Sequence, residues 1–88
     1  MTERHVVVAN SLGLHARPAA QLVRLAASFT SHIVVVKDSM EVNAKSIMGV
    51  MMLAAECGST VTVRADGPDE AEAVSALEAL VSSGFGEN

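Results

Sequence analysis

Residues 13–20 read Gly-Leu-His-Ala-Arg-Pro-Ala-Ala, and this stretch fixes where the first helix of the chain begins. Proline lacks an N–H and its ring clashes with a preceding helical turn, so Pro18 belongs in the first turn of a helix. Beyond it, apolar residues recur at the spacing of one helix face; these are Ala19, Leu22, Val23, Leu25, Ala26 and Phe29. The pattern predicts a helix from about Ala16 to Ser28 or Phe29.

A helix that begins at Ala16 places His15 at about the N-cap. The unsatisfied backbone N–H groups and the positive end of the helix dipole point outward there, which suits an anion and above all a phosphate. The dipole also favours a neutral imidazole with an available lone pair, and Arg17 can stabilise added negative charge. This arrangement indicates a histidine that carries a phosphoryl group. Taken alone, the short motif also fits an ordinary N-cap histidine beside a surface arginine.

The rest of the chain alternates between strand and helix patterns. Strands are predicted at Thr2–Ala9, Ser31–Lys37, Met40–Asn43 and Thr60–Ala65. A short helix is predicted from about Ile47 to Ala54 or Ala55.

The boundaries of the third helix carry the clearest signals. Asp69 followed three residues later by Glu72 has the spacing of a capping box. Gly84 is a natural residue to follow the helix, with Phe85 packing back on Leu80. The predicted buried stripe comprises Val74, Leu77, Leu80 and Val81.

The element order is therefore βαββαβα, and connectivity restricts the topology. Helical crossovers keep the strand direction and a hairpin reverses it, so the fourth strand can lie between the first and the second with antiparallel neighbours on both sides. We expect an α+β, two-layer open-faced sandwich. Its four-stranded antiparallel sheet has the order 1-4-2-3, and three helices cover one face.

Composition restricts the class of protein. The 88 residues predict a single domain, 1–88, and carry a net charge of −4, which argues against a nucleic-acid partner. No apolar run is long enough to span a membrane, and no signal-peptide pattern is present. Cys57 is the single cysteine, which suits a cytoplasmic location. We also predict that Cys57 is a small buried hydrophobe.

Two motifs resemble one known family. Residues 13–19 resemble the active-site signature of HPr, the histidine-containing phosphocarrier of the bacterial phosphoenolpyruvate-dependent phosphotransferase system. Residues 43–51, Asn-Ala-Lys-Ser-Ile-Met-Gly-Val-Met, resemble its regulatory-serine signature. The resemblance covers nearly the whole chain, as far as the ending at residues 84–86. Leu12 stands where sugar-system members often have a polar residue, which hints at the nitrogen-related branch.

The resemblance implies a function and its partners. Enzyme I would phosphorylate His15 from phosphoenolpyruvate, on Nδ1, and His15 would pass the group to an enzyme IIA-type acceptor, in sugar transport or in regulation. The chain would then be a carrier and not a free-standing enzyme, with Arg17 assisting. We expect no cofactor, no metal, no membrane partner and a monomeric state.

Ser46 precedes the second helix and is a preferred N-cap residue. A phosphate there would add about −1.5 to −2 charges at a helix start, where they are well tolerated. The helix would hold, so the effect would fall on docking. The resemblance implies modification by an HPr kinase/phosphorylase in many bacteria.

The second helix has more apolar residues than one buried face needs. We assign Val50, Leu53, Ala54 and Cys57 to the core, which leaves a methionine-rich group partly exposed. That group either docks partners or folds over the rim of the core. The resemblance favours docking, on a face around His15 that comprises Ala16, Ala20, Arg24, Ile47, Met48 and Met51.

Other candidate sites are weak. His5 and His32 lie in strand patterns without metal-type spacing. One alternative function remains open: a small regulatory module that binds an anionic metabolite or partner at the helix N-terminus without covalent transfer.

Overall fold

The computed structural model describes residues 1–86 and contains a four-stranded antiparallel sheet in the order β1-β4-β2-β3. The predicted topology is therefore confirmed. In chain order the elements are β1 (Thr2–Val7), α1 (Ala16–Ala27), β2 (His32–Lys37), β3 (Met40–Asn43), α2 (Ile47–Met52), β4 (Thr60–Asp66), α3 (Glu70–Ser82) and a short 3₁₀ turn (Gly84–Gly86).

The core lies between the sheet and the helices. Alternation in β4 turns Val61, Val63 and Ala65 inward, while Arg64 stays half-exposed on the other face. Side chains on one face of a strand lie two residues apart, which is why this spacing buries every second residue. The helices contribute their predicted stripes, which include Leu22, Ala26, Val74, Leu77 and Val81.

The outer face of the sheet is polar. The guanidinium of Arg64 pairs with Glu3 on β1 at 3.0 Å and with Glu41 on β3 at 3.3 Å. On the same face, Thr62 and His5 lie opposite each other, with 2.7 Å between Oγ1 and Nδ1. His5 and His32 are both exposed. Cross-strand polar pairs of this kind suit a sheet with one solvated face.

Helix α2 is shorter than predicted, and two of its assigned core residues are exposed. It ends at Met52, with Leu53 as its C-cap, and Ala54 adopts a left-handed backbone with φ of +51°. Because the helix stops there, helical spacing no longer places the following residues on the buried face. Val50 and Leu53 are buried as expected, whereas the predictions for Ala54 and Cys57 are wrong.

The predicted capping box of α3 is also wrong. Asp69 is the N-cap residue, but its side chain makes no cap hydrogen bond. Its carboxylate instead accepts hydrogen bonds from the backbone N–H of Thr30 at 2.9 Å and of Ser31 at 2.9 Å, and from the Ser31 hydroxyl. The carboxylate thus ties the start of α3 to the α1–β2 connection, a partner that short-range spacing cannot reveal.

Gly84 follows α3 as predicted. Ser83 is the C-cap, Gly84 has φ of +72°, and Phe85 is buried in the core against which Leu80 packs. Positive φ costs glycine little, so Gly84 turns the chain without a steric penalty. Within residues 1–86, no helix has the length and apolar character needed to cross a membrane.

Candidate phosphoryl-accepting site

The loop between β1 and α1 is anchored to the segment that follows α2. The backbone N–H of Leu14 donates to the Ala55 carbonyl at 2.9 Å. A Cβ on Gly13 would lie only 2.2 Å from that carbonyl oxygen, and the φ of Gly13 is +68°. Glycine is therefore required here by both space and backbone conformation. The close approach fixes the loop immediately before His15.

His15 is the N-cap residue of α1, as predicted. Its backbone is extended, with φ of −77° and ψ of −173°, and its carbonyl accepts the first helical hydrogen bond from Ala19 at 2.9 Å. The side chain does not cap the first turn. The residue is half-buried, and its Nε2 atom is buried.

The first turn of α1 keeps two backbone donors available. Of the four N–H positions that a helix start leaves unsatisfied, that of His15 donates to the Gly13 carbonyl at 3.0 Å, and Pro18 has none. The N–H groups of Ala16 and Arg17 remain, and neither bonds to another group within residues 1–86. These two amides form the predicted cradle for an anion.

Arg17 adds positive charge at this helix end. No acidic residue occupies the first turn of α1, where Arg17 is exposed, and the exposed Arg24 lies in the last turn of the same helix. Among the ion pairs formed by residues 1–86, none uses either arginine. Their guanidinium groups are therefore available to an anion or to an acidic partner surface.

A groove of about 310 Å³ opens beside His15. Leu12, 73% exposed, lies on its rim, and Met51 from α2 lines it together with His15. The lining residues are Leu12, Leu14, His15, Met51, Ala54, Ala55 and Glu56. The groove therefore lies between the loop that precedes α1 and the residues of α2 and its C-terminal end.

The other predicted docking residues lie on the same pair of helices. Helix α1 packs against α2. Ala16 and Arg24 are exposed and Ala20 is half-buried on α1. On α2, the exposed apolar residues are Ile47, Met48, Met51 and Met52. The methionine-rich group is thus a surface feature and does not fold into the core.

Ser46 is the N-cap of α2, as predicted. Its Oγ accepts a hydrogen bond from the Gly49 N–H at 3.1 Å. Ser46 is half-buried and does not line the groove at His15. The structure therefore places the two predicted phosphorylation positions at the starts of two adjacent helices.

Sequence patterns missed three residues that shape this site. Asn10 belongs to neither motif, yet it is fully buried in the connection between β1 and α1. Ala55 and Glu56 reach the groove because α2 ends early, which the pattern did not predict. The signal available for Asn10 was its type, since asparagine side chains often bond to nearby backbone groups in turns. In the part of the chain that the structure describes, no group of His, Cys, Asp and Glu could hold a metal ion.

Comparison with known proteins agrees with this geometry. A family described as "PTS HPr component phosphorylation site" matches residues 2–83. The phosphocarrier protein HPr of Cupriavidus necator is 54% identical over 87 residues, which cover 99% of this chain and 98% of that protein. A crystal structure of HPr from Thermoanaerobacter tengcongensis superposes with a TM-score of 0.96 at 50% identity, covering 100% of this chain and 99% of the other.

The chain therefore belongs to the HPr family of phosphocarrier components of the phosphotransferase system, and its function is that of a phosphocarrier. A further structure from Thermoanaerobacter tengcongensis, 50% identical and described as an HPr dimer, matches with a TM-score of 0.79 over 99% of this chain and 100% of that one. The expected monomeric state stays a prediction.

Proposed function

We propose that His15 accepts a phosphoryl group from phosphorylated Enzyme I and passes it to an enzyme IIA-type acceptor. The observation that carries this proposal is the start of α1, where the N–H groups of Ala16 and Arg17 bond to no group within residues 1–86 and the side chain of the N-cap residue His15 does not cap the helix. A ring nitrogen attacks phosphorus, the bond from phosphorus to the donor breaks, and the new N–P bond leaves a dianionic group. The amides and the guanidinium stabilise that charge.

The nitrogen that reacts is Nδ1. Burial of Nε2 supports this assignment, because a phosphoryl donor must approach the attacking atom from outside. Nδ1 then retains its lone pair while Nε2 carries the ring proton, as in the neutral imidazole. Arg17 is the charge-stabilising partner, since it follows His15 by two residues and is exposed beside the cradle.

The chain acts as a protein co-substrate and not as an enzyme, because its own side chain is the reacting group. We propose a cytoplasmic location and no cofactor. These proposals are supported by family membership and by the histidine site.

Both partners dock on one face, which comprises Ala16, Ala20 and Arg24 on α1 and Ile47, Met48 and Met51 on α2. Small side chains on α1 permit close approach to His15, and flexible methionines adapt to more than one partner. A Met51→Ser change should lower the transfer rate from Enzyme I by about fivefold, roughly 1 kcal/mol of docking energy. Met40→Ser on β3 is the matched control, since Met40 is 43% exposed and Met51 41%; equal effects of the two changes would contradict the docking assignment.

Ser46 is a regulatory phosphorylation site for an HPr kinase/phosphorylase. A phosphate there would face the N–H groups at the start of α2, so the helix would persist while negative charge is added next to the docking methionines. The consequence is weaker docking of Enzyme I.

The function is tested by incubating the full chain with Enzyme I and labelled phosphoenolpyruvate. The wild-type chain should gain one phosphate that is stable in base and labile in acid, and a His15→Ala variant should gain none. His5 and His32 are exposed and serve as internal controls. Saturable metabolite binding without a covalent adduct would instead support the anion-binding module.

A further inference from the structure

Asn10 is buried directly beneath the loop that presents His15. Its relative exposure is 0%, and its backbone lies against Gly84 at the end of α3, where an added Cβ would be 3.7 Å from Asn10. A buried polar side chain is retained only when its hydrogen bonds are made, since an unmade one carries the full desolvation penalty. The side chain of Asn10 must therefore form a hydrogen bond inside the protein, and its partner lies next to His15.

The side chain of Asn10 donates from Nδ2 to the Gly13 carbonyl at 2.7 Å. The atom that faces this carbonyl must be the amide nitrogen, because two oxygens at that separation would repel each other. The same carbonyl oxygen accepts the backbone N–H of His15 at 3.0 Å. One oxygen thus links the buried amide to the N-cap residue of α1.

The Gly13–Leu14 peptide is held on both sides: the Leu14 N–H donates to the Ala55 carbonyl at 2.9 Å, and the Gly13 carbonyl accepts from Asn10 Nδ2 and from the His15 N–H. Glycine has the widest choice of backbone conformations, so its carbonyl can rotate unless donors hold it. The backbone N–H of Gly13 bonds to the Asn10 carbonyl at 3.1 Å, which closes the turn from the other side. Asn10 therefore bonds to both backbone groups of Gly13: its main-chain carbonyl accepts from the Gly13 N–H, and its side chain donates to the Gly13 carbonyl.

We propose that Asn10 is a positioning residue for phosphoryl transfer, acting through the Gly13 carbonyl to fix the backbone of His15. This inference depends on the proposed function of His15 and adds a residue that neither motif contains. Asn10 does not touch the phosphoryl group. It sets the orientation of the imidazole relative to the amides of Ala16 and Arg17, on which productive geometry depends.

The test uses two donors of different size. Phosphoramidate is a small donor: its P–N bond breaks, a new bond forms between phosphorus and the imidazole nitrogen, and ammonia leaves. It requires a well-placed ring but no docking surface. Phosphorylated Enzyme I requires both. In Asn10→Asp the new side chain has nearly the shape of asparagine but lacks its hydrogen-bond donor at neutral pH. Asn10→Ala removes the side chain beyond Cβ.

Both variants should lose about 10- to 100-fold in the rate of His15 phosphorylation by either donor. With Enzyme I the loss should appear in kcat and not in KM, because the docking residues are untouched. The background from His5 and His32 is subtracted with a His15→Ala chain. Wild-type rates in a folded Asn10→Asp chain would overturn the proposal.

Ser31→Ala is the matched control for lost stability. Ser31 is also buried, at 1%, and also fixes a loop, through Asp69 at the other end of α1. Its stability loss, measured by urea unfolding, should leave the phosphoramidate rate unchanged. A rate loss in Ser31→Ala equal to that in Asn10→Asp would assign the effect to general destabilisation and contradict a positioning role.

Amide hydrogen exchange separates this inference from the proposed function. Asn10→Asp should accelerate exchange at the amides of Gly13 and His15 relative to Ser31→Ala, whether or not transfer occurs. If neither phosphoryl donor modified the wild-type chain, the proposed function of His15 would be contradicted, whereas the exchange result would still test the role of Asn10. Unchanged exchange at these amides would sink the role of Asn10.

Discussion

The starts of α1 and α3 differ in how their backbone donors are used. At α3, the first turn contains Glu70 and Glu72, and the N-cap is Asp69. At α1 there is no acid, the N-cap side chain does not bond to the turn, and the amides of Ala16 and Arg17 bond to no other group within residues 1–86. Both helices have the same dipole, so the difference lies in the side chains placed at its positive end.

The acids at α3 serve the fold. Glu70 accepts hydrogen bonds from the Thr2 hydroxyl at 2.6 Å and from the Gly67 N–H at 3.2 Å, which connects β1 and the β4–α3 turn. Asp69 connects α3 to the α1–β2 connection. At α3 the carboxylates at the helix start support the fold, whereas a helix start without them has the donors and the dipole that suit an anion.

The largest expected effect on phosphoryl transfer comes from adding an acidic residue to the first turn of α1, as α3 already has. Ala16→Glu places a carboxylate in the first turn of α1, where Ala16 is exposed. Repulsion of the phosphoryl group should slow transfer from Enzyme I at least about tenfold, or 1.4 kcal/mol. The same charge should stabilise the helix by about 0.3–1 kcal/mol. Phosphorylation rates and urea unfolding measure the two effects.

Ala71→Glu is the matched control for this variant. Ala71 is exposed in the first turn of α3, so the change adds the same charge to a helix start that is already acidic. Transfer by this variant should equal that of the wild-type chain. If Ala16→Glu also transferred at the wild-type rate, the start of α1 would not be where charge develops.

The start of α2 sharpens the comparison because it lies between these two cases. The neutral hydroxyl of Ser46 accepts a hydrogen bond from one backbone donor of the first turn, the Gly49 N–H. Ser46→Ala should cost about 1 kcal/mol of stability through the lost cap. Ser46→Asp should retain stability and slow transfer from Enzyme I about fivefold, roughly 1 kcal/mol, by charge next to the docking face. Urea unfolding and transfer kinetics distinguish them, and equal transfer by Ser46→Asp and Ser46→Ala would count against regulation.

The smallest expected effect is a loss of folding stability that occurs only at low pH. The Ser31 hydroxyl and the Thr30 amide lower the pKa of Asp69 to about 2, and the Thr2 hydroxyl, the Met1 ammonium and the Gly67 amide lower that of Glu70 to about 2. Because both folded-state pKa values lie below the ordinary 3.8 and 4.5, their contribution is complete above about pH 4.5. It is lost as the pH falls towards 2.

Urea unfolding as a function of pH measures this loss. The free energy of unfolding should decline between about pH 4.5 and pH 2. In a chain carrying Asp69→Asn and Glu70→Gln, that decline should be smaller. An identical pH profile in the two chains would show that these carboxylates are not stabilised in the fold.

Sequence predicted the parts of the site that depend on local pattern. Pro18 and the apolar spacing after it fix the start of α1, and therefore the place of His15, to within a residue. The strand order followed from connectivity. Ser46 could be assigned as a cap because the N-cap position is defined by the helix that follows it.

The parts that sequence missed depend on contacts distant along the chain. The partners of Asp69 are 38 and 39 residues away, so no spacing rule could reveal them. Ala54 and Cys57 were assigned to the core by extending a helix that ends at Met52. The residues that frame the groove, Ala55 and Glu56, are brought there by that early end.

We infer that the phosphoryl group is carried on Nδ1 of His15, at the start of α1. Nitrogen-15 NMR of the phosphorylated full chain tests it most directly, by reporting the ring nitrogen bonded to phosphorus and the amide resonances. We predict phosphorus on Nδ1, together with the largest downfield amide proton shifts at Ala16 and Arg17. Phosphorus on Nε2, or unchanged amides at these two residues, would contradict it.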